Sequence, residues 1–88
     1  MSNMKNEAYF MAKLAVANPA AAVSALRVET PEVREITISK LRVYPAALIS
    51  LLRADNLPRN WKPIIEDELN FSIQRALGQK QIVSENKQ

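Results

Sequence analysis

Apolar residues recur along this chain at helical spacing, and prolines mark where the apolar stretches begin. Near the start, Met4, Ala8, Met11, Ala12 and Ala15 share one helical face, with Phe10, Leu14 and Ala17 beside it. Toward the end, Trp61, Ile65, Leu69, Ile73 and Ala76 repeat the pattern, and Lys62, Asp67, Asn70 and Gln74 lie elsewhere on the helix. Between these amphipathic segments lie two stretches that are apolar on nearly every side, Pro19–Val28 and Pro45–Ala54.

Proline lacks a backbone N–H and is tolerated in the first turn of a helix, where that N–H would have no partner. Four of the five prolines suit that slot. Asn18-Pro19 and Thr30-Pro31 are N-cap and first-turn pairs, Tyr44-Pro45 has the proline without a good cap, and Lys62-Pro63 falls in an opening turn. Pro58 instead lies in the polar run Asp55–Asn60, which reads as a loop. Gly78 follows Leu77 in the position of a C-terminal stop.

The pattern predicts an all-α fold, a compact bundle of five short helices near residues 3–17, 19–28, 31–42, 45–54 and 61–77. One helical domain spans residues 1–78, and a polar, mobile tail spans residues 79–88. The third segment carries competing signals. Val33, Ile36, Thr37, Ile38 and Val43 favour a strand by propensity. Its Thr-Pro-Glu opening favours a helix, and a lone strand would have nothing to pair with.

The two apolar stretches also resemble each other. Pro19–Glu29 and Pro45–Asp55 are identical at six of eleven positions and conservative at the other five. Two equivalent, stacked helical hairpins would produce such a match. So would chance, because alanine-rich helices opened by proline look alike. Two outer helices in a chain of 88 residues can scarcely cover two inner ones that are apolar on nearly every side, so a homodimer is expected.

Composition narrows the chemistry. The chain has no cysteine and no histidine, which removes disulfides, thiolate metal sites and the commonest catalytic base together. A single glycine cannot build a phosphate-cradling loop. Glu66-Asp67-Glu68 is the acidic cluster, but consecutive helical residues point about 100° apart and do not converge on one ion. Charge complementing the helix dipole just after Pro63 is the reading preferred for it. Ser24 and Ser50 sit in apolar helices with no base nearby, where a hydroxyl bonded to its own helix is expected. The chain therefore reads as non-enzymatic, without metal or cofactor.

No segment holds the roughly 20 apolar residues that span a bilayer. Phe10–Ala25 has the small residues of a secretory leader, but Lys13, Asn18 and Pro19 interrupt it and Glu7 stands where a leader is basic. The expected location is cytoplasmic.

Val33–Arg53 has the layout helix, short break, helix. In outline it resembles the helix-turn-helix of small phage-type repressors and excisionases, with Lys40–Ala47 as the turn and Leu57-Pro58-Arg59-Asn60-Trp61 as the segment after their recognition helix. Arg42 stands where that turn usually carries glycine, and Ile38 where a small residue is usual. The resemblance implies DNA binding, with Lys40, Arg42, Arg53, Arg59 and Lys62 along the phosphates against one acid, Asp55. Reading bases requires polar side chains at the start of the second helix, and Pro45, Ala46, Ala47, Leu48 and Ile49 supply none.

Two functions fit these patterns. The preferred one is a helical protein-interaction or assembly module, an adaptor, inhibitor or structural subunit. It would act through apolar helix faces on a protein partner or a second copy, with Leu48, Leu51, Leu52 and Trp61 as contact residues. Trp61 has a competing role packing over the core with its ring N–H on a loop carbonyl. The alternative is the DNA-binding regulator. Both require a far-UV circular dichroism spectrum with the double minimum of helix, and a strand-dominated spectrum would contradict the architecture.

Overall fold

The computed structural model describes the backbone of residues 4–86 and the side chains of residues 4–78. The described residues form five α-helices and no strand: α1 (Met4–Ala17), α2 (Pro19–Arg27), α3 (Pro31–Lys40), α4 (Pro45–Leu52) and α5 (Lys62–Asn86). Single turns of 3-10 helix precede α4, at Leu41–Val43, and α5, at Arg59–Trp61. The third segment is thus a helix. Thr30 accepts a hydrogen bond from the Val33 amide at 3.3 Å, closing its first turn. Its last residues tighten into the 3-10 turn, so the helix ends at Lys40 rather than residue 42.

The proline positions are as the sequence predicts. Pro19, Pro31 and Pro45 each open a helix, and Pro63 is the second residue of α5. Asn18 alone separates α1 from α2; its side chain accepts from the Ala21 amide at 3.2 Å. Tyr44 contributes no side-chain cap to α4.

The core depends on small residues in α1. Its buried positions are Ala8, Ala12 and Ala15, spaced to form one narrow stripe. Without bulk on that stripe, α2 and α3 both pack on α1, and their Val23, Leu26, Val33 and Ile38 fill the space. Met11 and Leu14 pack at the edge of the core, whereas Met4 and Phe10 are exposed. On the other side α4 packs on α5, burying Leu48, Leu51, Trp61 and Ile65. Leu41 joins the two halves from the turn between them. Thr37, the buried polar residue, donates its hydroxyl to the Val33 carbonyl one turn back at 2.7 Å.

The inner helices are not buried all round. α2 exposes Ala20, Ser24 and Arg27, and α4 exposes Pro45, Ala46 and Ile49. Most of these outward side chains are small, with Ile49 the large apolar one among them. The two stretches also do not use matching faces. α2 buries Ala22, Val23 and Leu26, whose counterparts are Leu48, Ile49 and Leu52. α4 instead buries Ala47, Leu48 and Leu51, a face turned by about 100°. Ser24 accepts a hydrogen bond from Asn56 at 3.1 Å, which ties the connection between α4 and α5 to α2. Asn56 also donates to the Ala20 carbonyl at 3.1 Å.

Two expectations about α5 change. Its apolar stripe is not covered to its end: Trp61 and Ile65 are buried and Leu69 packs at the core edge, but Ile73, Ala76 and Leu77 are exposed. The cause is length, since the 8 residues of α4 span about 12 Å and the 25 of α5 about 37 Å. Nor does Gly78 stop the helix, which continues to Asn86. Gly78 has no positive φ, so it does not make the left-handed turn of a glycine cap. The tail expected over residues 79–88 is thus helical in backbone to Asn86, and its last two residues lie outside the described residues.

This packing sets two expectations for stability. Ala15→Leu should destabilise the fold by about 1–3 kcal/mol in urea unfolding, because the stripe has no room for a larger side chain. Gly78→Ala should strengthen the helix locally by about 0.5–1 kcal/mol, since an added Cβ meets nothing within 4 Å. Slower amide exchange around residue 78 would register it.

Candidate interaction surface

The Leu41–Val43 turn sends three consecutive side chains to three environments. Leu41 is fully buried, anchoring the turn in the core. Arg42 crosses to α5, where its Nε donates to the Glu68 carboxylate at 2.5 Å and its guanidinium lies 4.3 Å from the centre of the Phe71 ring. The Ser72 hydroxyl donates to the Arg42 carbonyl at 2.7 Å, so side chain and backbone are both held. Val43 points outward and is 71% exposed.

An apolar surface surrounds this turn. On one side Tyr9, Ala12 and Val16 of α1 face Tyr44 across a groove of about 450 Å³, with Lys13 and Lys40 on its rim. A second hollow of about 340 Å³ shares Val16 and Tyr44 and extends along Val43, Pro45, Ala46 and Ala47 to Ser50. Beyond Val43 and Pro45 the surface reaches Ser72, Arg75 and Ala76 of α5. Tyr9, Val16 and Tyr44 are each more than half exposed, at 59%, 55% and 57%. Large apolar side chains scattered singly are ordinary on a protein surface; a contiguous set is not.

The residues singled out from sequence are distributed differently. Leu48, Leu51 and Trp61 lie in the core at 0%, 1% and 5% exposure, and Leu52 is half-buried against it. They hold α4 and α5 together and are not presented to a partner. Trp61 takes the core role, but the contact across its ring is the Arg34 guanidinium of α3, 4.6 Å from the ring centre. Of the five basic residues, Arg42 is committed to Glu68 and Phe71, while Lys40, Arg53, Arg59 and Lys62 are exposed. The exposed four are not one cluster. Arg53 and Arg59 lie between α4 and α5 and Lys62 begins α5, whereas Lys40 ends α3, just before the turn that leads into α4. That turn meets α5 at Glu68–Ser72, about 9–15 Å along the helix from Lys62.

The acidic run divides in the same way. Glu68 turns to Arg42, while Glu66 and Asp67 remain exposed. Because α5 begins at Lys62, the run starts beyond the first turn, where the helix dipole has little effect. Its pairing with Arg42, rather than the dipole, gives Glu68 a structural role. Among the described residues no group of acids is arranged to hold a metal ion, and no helix is long and apolar enough to cross a membrane.

No family model, no curated protein and no solved structure matches this chain.

The pinning of the turn can be measured. A double-mutant cycle with Arg42→Gln and Glu68→Gln should return a coupling of about 1 kcal/mol, near the upper end for exposed pairs because Glu68 is largely covered. Additive effects would show that the pair does not hold the turn.

Proposed function

We propose that this protein is a small non-enzymatic interaction module that binds another protein through the apolar surface around the Leu41–Val43 turn. The observation that supports this reading is the continuity of exposed Tyr9, Val16, Val43 and Tyr44 across two adjoining hollows. Leaving that area in water is unfavourable by about 25 cal/mol per Å², and a partner that covers it recovers this energy. The side chains lie on α1 and on the turn before α4, which are joined through the core by Ala12, Ala15, Leu41 and Ala47, so the surface is formed before a partner arrives and little ordering cost remains at binding. The absence of histidine and cysteine from the sequence leaves few groups for catalysis, which agrees with a binding role.

DNA binding is the second reading, supported by the helix, 3-10 turn, helix order of α3, Leu41–Val43 and α4 together with the exposed Lys40, Arg53, Arg59 and Lys62. Its would-be reading helix presents Pro45, Ala46 and Ile49 to solvent, which offers contact with thymine methyls at most.

One comparison separates the two. Val43→Ser with Tyr44→Ser should leave the fold intact, because both side chains are largely exposed, and should abolish co-purification of the partner from native cells. Retained capture would refute the assignment of this surface. In gel shifts the protein should bind duplex DNA only weakly at physiological salt. Tight, site-selective binding there, lost on replacing Arg53 and Arg59, would favour the regulator.

A further inference from the structure

Around the proposed interaction surface, the charge of the groove between α1 and Tyr44 is one-sided. Lys13 and Lys40 line it, and no carboxylate lines either this groove or the hollow that continues it. Among the described residues neither lysine forms an ion pair; the Lys13 ammonium lies 5.3 Å from the centre of the Tyr9 ring. Of the other two cation–ring contacts among the described residues, Arg42 on Phe71 also holds Glu68, whereas Arg34 on Trp61 donates to the Glu29 backbone carbonyl. The groove has the aromatic and cationic parts of the Arg42 arrangement without its anion.

We infer that this groove takes an amphipathic helix of a partner protein, with its apolar side chains on Ala12, Val16 and Tyr44 and its flanking carboxylates on Lys13 and Lys40. The inference rests on the interaction reading and names its partner class. The two hollows share Val16 and Tyr44 and together run from Tyr9 to Ser50, an apolar lining on which successive residues of a helix at i, i+3 or i+4, and i+7 can sit. A second copy of this chain fits less well. A two-fold contact of this face with itself would bring four lysines together, in a protein whose net charge is already +3. Carboxylates on the partner relieve that repulsion and speed its encounter with the groove.

The test uses two synthetic helical peptides with the same leucine stripe, one flanked by glutamates and one by lysines. Binding to the full chain is followed by fluorescence anisotropy and by NMR shifts at Val16, Val43 and Tyr44. The glutamate peptide should bind about tenfold or more tightly than the lysine peptide at low salt, with the gap narrowing as salt is added. Lys13→Glu with Lys40→Glu, both exposed, should reverse the preference. Equal affinity for the two peptides at the groove would overturn the acidic partner while leaving an apolar interaction surface in place. Failure of both to shift those resonances would overturn the surface as well. Sedimentation with vesicles containing phosphatidylglycerol, abolished by the same double substitution and unmatched by peptide binding, would assign the groove to a membrane surface and overturn the protein partner.

Discussion

The arrangement depends on how the Leu41–Val43 turn is held between the two halves of the molecule. Leu41 is enclosed by the core from one direction, and α5 holds Arg42 from the other through Glu68, Phe71 and Ser72. A turn fixed on both sides has no freedom left for its third residue, so Val43 and the adjoining Tyr44 are directed into solvent. An exposed apolar residue on a mobile loop would fold back onto the nearest apolar surface. Here the contacts of Leu41 and Arg42 hold the backbone of the turn in place, and Val43 and Tyr44 stay away from the core.

The same logic explains the alanines of α1. Close approach of α2 and α3 requires a stripe with little bulk, and Ala8, Ala12 and Ala15 provide it. Larger side chains are displaced to the flanks of the helix, where Tyr9 and Val16 meet the turn region and Phe10 faces water. The exposed apolar surface is thus a consequence of core packing. Residues too large for the stripe, together with residues that the pinned turn cannot bury, become neighbours on the outside.

Much of the fold is legible in the sequence because proline and capping chemistry are local. Asn18-Pro19, Thr30-Pro31 and Pro45 each fix a helix start within one residue. The ends of helices are less legible. Gly78 is compatible with both a cap and a continuing helix, and only the conformation of the chain after it decides. The surface is not legible, because apolar character does not distinguish a core residue from a contact residue. Leu48, Leu51 and Trp61 are buried by tertiary neighbours that no local pattern specifies, while Val43 and Tyr44 are exposed by a pairing between Arg42 and Glu68, 26 positions apart. The hint present in the sequence is two large apolar residues directly before a helix-opening proline, where capping chemistry favours polar ones.

The decisive measurement is oxidative footprinting with residue resolution, on the purified protein and on the protein in its native cell. Tyr9, Val43 and Tyr44 should be readily oxidised in the purified protein and protected in the cell, while Phe10, 67% exposed and outside the grooves, should react in both. Equal reactivity of Tyr44 in the two settings would contradict a partner at this surface.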